Sequence, residues 1–128
     1  QLLTMNTTGD ITIQRRWAYH TGGESMVFTS SGETGVRVHL QEVPDGDYKV
    51  YLDYVKYPQG SAFSVWQRQT PLTDWLHAYN KDTVRMEQQY FSDVTLTPLN
   101  RTITLRLKGD GAKNQFFLNR IILIKKEQ

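Results

Sequence analysis

Apolar residues recur at every second position through most of this chain. Ile11 and Ile13 alternate with Thr12 and Gln14, Val36, Val38 and Leu40 with Arg37, His39 and Gln41, and Ile103, Leu105 and Leu107 with Thr102, Thr104 and Arg106. Between Asp47 and Tyr57, one parity holds Tyr48, Val50, Leu52 and Tyr54 and the other holds Lys49, Tyr51 and Asp53. Successive side chains of a strand leave opposite faces, so this spacing marks strands with one buried side. Gln115 to Ile124 is apolar on both parities, as expected of a strand covered on both faces.

Turn residues separate these runs. In Pro44-Asp45-Gly46-Asp47 the proline presets φ and the glycine accepts a left-handed position. Gly22-Gly23, Ser30-Ser31-Gly32, Pro58-Gln59-Gly60, Thr97-Pro98-Leu99-Asn100 and Lys108-Gly109-Asp110-Gly111 mark further reversals. About eight or nine short strands punctuated in this way predict an all-β, two-sheet antiparallel β-sandwich. Only Pro71 to Arg85 departs from the pattern; Thr73 to Tyr79 reads either as one helical turn capped by Thr73 or Asp74, or as an irregular excursion. At 128 residues, with no internal repeat or linker, the chain reads as one domain over 1–128.

Three stretches carry a family resemblance. Val43-Pro44-Asp45-Gly46-Asp47-Tyr48-Lys49-Val50-Tyr51-Leu52-Asp53-Tyr54-Val55 resembles the "v-x-x-G-x-Y-x-v-x-l-x-Y" strand of galactose-binding-like jelly rolls. Leu99-Asn100-Arg101-Thr102-Ile103-Thr104-Leu105 is similar to their "N-T-I-x-L" strand, and Phe117-Leu118-Asn119-Arg120-Ile121-Ile122-Leu123 to their closing "hxhDxIxL" strand. The fit runs in the right order from Gly23 onward, and is shared with β-sandwich accessory domains of secreted bacterial glycoside hydrolases. The resemblance implies a jelly roll and a carbohydrate-binding role outside the cytoplasm. Asn119-Arg120 stands where those domains frequently have an aspartate, and their N-terminal acidic pair is not recognisable. No cofactor is therefore expected; a structural calcium stays open without support from the sequence.

Charge and composition narrow the chemistry. Residues 1–64 carry five Lys/Arg against seven Asp/Glu, a net of −2, and residues 65–128 carry ten against six, a net of +4. The basic residues stand mostly singly along the sequence, without the clustered stripe that phosphate binding requires, so no nucleic-acid partner is expected. No apolar run approaches the ~20 residues of a membrane-spanning helix. With no cysteine, disulfides, thiolate metal sites and cysteine nucleophiles are excluded. The start, Gln1-Leu2-Leu3-Thr4-Met5, has neither the charged nor the apolar region of a signal peptide, which suggests a processed chain or a domain of a larger protein.

No catalytic constellation stands out. His20, His39 and His77 sit in no recognisable elbow or metal spacing; Asp45 and Asp47 are turn residues, and Glu24, Asp53 and Asp93 fall in or beside strands. A sugar, by contrast, presents an apolar C–H face to an aromatic ring and hydroxyls to polar side chains. If Phe63 and Val65 point inward, Trp66 and Arg68 point out; if Val50 and Leu52 point inward, Tyr51 and Asp53 point out. Were these two strands paired, Tyr51, Asp53, Trp66 and Arg68 would share one open face, and Asp53→Ala would cost little stability. Loops at one end add Tyr57, Trp75, His77, Tyr79 and Asn114 as ligand candidates. Trp66 and Trp75 read equally as packed core, as does Trp17. Two functions therefore stay open: a non-catalytic carbohydrate-binding accessory domain, or a β-sandwich that packs on a catalytic neighbour without binding sugar.

Overall fold

A computed structural model describes residues 2–6, 17–20, 26–30, 32–40 and 43–126, giving the backbone alone at 2–6, 17–20 and 26. The expected strand at 11–14, together with Glu24 and the side chains of Trp17 and His20, lies outside what is described. Eleven strands appear among the described residues: β1 (Leu2–Asn6), β2 (Trp17–His20), β3 (Met26–Thr29), β4 (Glu33–His39), β5 (Gly46–Lys56), β6 (Ala62–Gln67), β7 (Thr70–Pro71), β8 (Leu76–His77), β9 (Val84–Leu96), β10 (Thr102–Lys108) and β11 (Gln115–Lys125).

Two sheets form. The first runs β1-β4-β10-β6-β7, with β8 also on β6; the second runs β2-β11-β5-β9, with β3 on the far end of β11. All pairings are antiparallel except β1–β4. The predicted inward rows meet between the sheets. Val36, Val38, Phe63, Val65, Ile103, Leu105 and Leu107 of the first face Tyr48, Val50, Leu52, Tyr54, Phe116, Leu118, Ile121 and Leu123 of the second, all buried. The chain is thus the antiparallel β-sandwich that its alternation predicts.

Aromatic residues tie the sheets together. Phe63 of the first sheet lies 5.2 Å from Tyr54, 5.6 Å from Phe91 and 4.8 Å from Phe116 of the second, between ring centroids. Tyr48 donates its hydroxyl to the Pro44 carbonyl at 2.6 Å, which clamps the 44–47 turn, and Gly46 adopts φ +147°, a conformation that side chains disfavour. The Pro71 to Arg85 stretch contains no helical turn. It lays β7 and β8 back along β6, and Thr73 Oγ1 accepts the Val65 amide at 3.0 Å.

Two irregularities in the second sheet converge on one residue. Register between β11 and β5 slips between Leu118 and Arg120, leaving Asn119 as the extra residue, and register between β5 and β9 slips between Leu52 and Tyr54. Asp53 sits between the two slips. Gln88 takes φ +48° there and donates its amide to Asp53 Oδ1 at 2.6 Å.

Burial pushes the Tyr54 and Tyr57 hydroxyls above the ordinary 10.0, and Tyr48 likewise, with Arg101 opposing and Asp45 adding to the effect. The unfolded chain therefore releases these protons first. The stability they contribute is complete below pH 10.0 and is lost as pH rises through the raised values. Urea midpoints should fall as pH rises above about 10, the ordinary tyrosine value, and Tyr54→Phe should flatten the slope. An unchanged slope in Tyr54→Phe would contradict this.

Candidate functional site

The outer face of the first sheet carries a groove. With Val36, Val38, Leu105 and Val65 committed inward, Arg37, His39, Thr102, Thr104, Arg106, Ser64 and Trp66 must point away from the core. Register then aligns them: Thr104 stands opposite Arg37 on one side and Trp66 on the other, and Thr102 stands opposite His39. The β6–β7 turn contributes Arg68, and the Thr97–Asn100 turn before β10 contributes Leu99 and Asn100. Arg37, His39, Thr102, Thr104 and Arg106 of the strands and Arg68, Leu99, Asn100 and Arg101 of the turns line an open groove of about 470 Å³, which thus holds four arginines.

Each basic group is held differently. Arg106 lies over the Trp66 ring, its Cζ 3.9 Å from the centroid, and reaches Glu33 at 3.7 Å. Trp66 is fixed in turn by its Nε1, which donates to Ser64 Oγ at 2.7 Å. Arg101 pairs with Asp45. Arg68 occupies the left-handed region at φ +55° and donates to the Leu99 carbonyl. His39 Nδ1 lies 3.0 Å from Thr102 Oγ1. Arg37 is exposed and, like Arg68, has no carboxylate partner among the described residues. Asn100 Oδ1 is buried and accepts no hydrogen bond from them either.

The four-residue platform expected from strand parity does not assemble. Sequence neighbours β5 and β6 belong to different sheets, so Tyr51 and Asp53 lie on the opposite outer face from Trp66 and Arg68. Asp53 is moreover fully buried rather than open. Arg120 closes over it, with Nε and Nη2 each 2.9 Å from Oδ2, and the Gln88 amide takes its other oxygen. Asp53 is therefore committed within the fold, contrary to the outward, ligand-facing position expected for it. Tyr51 is half-buried and meets Tyr90 edge-on at 5.6 Å. Trp66 does face outward, but Arg106 covers one of its ring faces.

The end-loop candidates lie beside β6 and β5. Tyr57 and Tyr79 form a bridge, and the Tyr57 hydroxyl donates to Gln115 Oε1 at 2.9 Å. Lys113 Nζ lies 4.0 Å from the Tyr79 ring centroid, and Lys108 Nζ 5.7 Å from that of Trp75. Trp75, Tyr79 and His77 are exposed, whereas Asn114 is half-buried and its carbonyl accepts the Ser30 amide at 2.8 Å. Gly60 allows this packing, because a β-carbon there would collide with the Ala78 carbonyl. These residues form a rim with lysines over its rings, and no groove is described among them.

Of the groove residues, only Arg68 was anticipated as part of a site. Arg37, Arg101, Arg106, His39 and Asn100 were missed because basic residues scattered along the chain were read as scattered in space. The usable signal was the outward parity of Arg37 and Arg106 on two strands that a sandwich brings side by side. Chemically, planar guanidinium groups offer forked donors to carboxylate, sulfate or hydroxyl oxygens. No Asp or Glu is among the lining residues, so the groove itself supplies no carboxylate pair for glycoside hydrolysis. Among the described residues no group of three or more His, Asp or Glu could hold a metal ion, and no helix is long and apolar enough to cross a membrane.

Comparison with known proteins adds to this geometry. A Paenibacillus xanthan lyase is similar in structure with a TM-score of 0.53 and 10% identity, over 86% of this chain and 12% of the lyase. The chain thus spans about an eighth of that enzyme, and the likeness concerns the fold alone. The insecticidal crystal protein Cry2Aa matches more loosely, with a TM-score of 0.49 and 14% identity over 87% of this chain and 19% of its own. No curated protein matches the chain. Over residues 1–126 it matches, and so belongs to, the family described as a domain of unknown function, DUF8441.

Proposed function

We propose that this β-sandwich is a non-catalytic carbohydrate-binding accessory domain of an extracytoplasmic carbohydrate-active protein, with its site in the groove of the first sheet. The observation that carries the reading is the open groove itself. Strand-borne side chains fixed by Glu33 and Thr102 line it, with forked donors, amide and hydroxyl groups and the exposed Leu99 at its edge. Such a mixture suits the alternating hydroxyls and C–H faces of a sugar. Support also comes from the resemblance to accessory domains of glycoside hydrolases and from the similar fold within a polysaccharide lyase.

A shallow site must offset lost translational and rotational freedom, so binding should be weak, with Kd about 10 μM to 1 mM. Calorimetric titration with a panel of plant and host polysaccharides tests this. Saturable binding that weakens about tenfold or more in Arg106→Ala, with the β-sheet spectrum retained, is the expected outcome. Absence of binding across the panel would favour the other function, a sandwich that packs on a catalytic neighbour and binds no sugar.

A further inference from the structure

We infer that the groove selects an acidic polysaccharide, seating its carboxylate or sulfate groups on Arg37, Arg68 and Arg106; this rests on the carbohydrate reading above and specifies the ligand class. The charge balance is the first reason. Four arginines line the groove and no carboxylate does, while only Arg101 and Arg106 have acidic partners, Asp45 and Glu33, among the described residues. Arg37 and Arg68 therefore bring to the groove positive charge that no carboxylate among the described residues pairs with. A neutral glycan would leave that charge unanswered, whereas an anionic group would accept charge-assisted, forked hydrogen bonds from it.

Arg68 supplies the second reason. It occupies the first position of the two-residue turn between Gln67 and Thr70 in a backbone conformation favoured by glycine and asparagine. An arginine kept where glycine would be easier is placed for its side chain, which is steadied on the Leu99 carbonyl and lines the groove.

The third reason separates glycan from nucleic acid. Binding of single strands relies on open aromatic faces that take bases in succession. No tryptophan, tyrosine or phenylalanine among the described residues lines the groove, and Arg106 covers one face of the neighbouring Trp66 at 3.9 Å. Interspersed Asn100, Thr102 and Thr104 suit hydroxyl groups between spaced charges rather than a continuous phosphate backbone.

The test titrates the chain with polygalacturonate (carboxylated), chondroitin sulfate (sulfated), neutral galactan and dextran, and single-stranded oligothymidylate. At least one acidic glycan should bind about tenfold or more tightly than either neutral one, with the better arm identifying carboxylate or sulfate as the preferred group. Arg37→Gln and Arg68→Gly should each weaken that binding about tenfold or more. Arg68→Gly should do so while melting at or slightly above the parent temperature, since it relieves the turn. Equal binding of neutral and acidic glycans would overturn the selectivity and leave the carbohydrate reading standing. Oligothymidylate binding as tightly as the acidic glycans would overturn the glycan assignment, and no glycan binding at all would remove both.

Discussion

Phe63→Ala should destabilise the protein by about 3–5 kcal/mol, the range for deleting a buried aromatic side chain. Phe63 is fully buried, and from the first sheet its ring touches Tyr54, Phe91 and Phe116 of the second. Truncation removes three edge-on or tilted ring contacts at once and opens a void that strands held by hydrogen bonds on both sides can only partly close. A domain this size is stable by about 5–15 kcal/mol, so the variant should retain its β-sheet spectrum but unfold at a much lower urea concentration. Phe63→Leu keeps much of the volume and should lose less than half as much. A loss under about 1 kcal/mol for Phe63→Ala would mean that the aromatic cluster does not hold the sheets together.

Arg120→Met should cost about 3 kcal/mol, the lower end of the range for stranding a buried charge, because Arg120 itself keeps 38% of its side-chain surface in water. The carboxylate left behind is fully buried, with only the Gln88 amide still donating to it. The reverse change should be milder. Asp53→Asn keeps an oxygen for Gln88 and leaves a guanidinium that water reaches, so about 1–2 kcal/mol is expected. Combining both should cost less than the sum of the two, because the double variant no longer buries an unanswered charge. Equal losses for the two single variants in urea unfolding would contradict this asymmetry.

How far the sequence could be read depended on how local each feature is. Strand parity is local: Val36, Val38 and Leu40, Tyr48 to Tyr54, and Ile103 to Leu107 all turned inward as their alternation requires. Sheet membership is not. Β5 and β6 follow one another in the chain, yet the 57–61 turn carries the backbone from one layer to the other, so two outward faces that looked continuous lie on opposite sides of the molecule. Bulges were equally hidden, because one additional residue at Asn119 resets register without any compositional mark, and with it went the burial of Asp53. The groove was half legible. Arg37 and Arg106 could be read as outward, but their proximity depends on β10 lying beside β4, which only the assembled sheet reveals.

The placement of β1 and β2 has a bearing on association. The strand β1 borders β4 in one layer while β2 borders β11 in the other, so these two N-terminal strands supply a margin to both layers. Cutting them away would bare the amide and carbonyl rows of Val36 to His39 and of Ile122 to Ile124 simultaneously, two templates for strand addition on a single molecule. A protein shortened in this way gains the valence of a polymer unit. It should grow into open-ended chains, where loss of a single margin would stop at pairs.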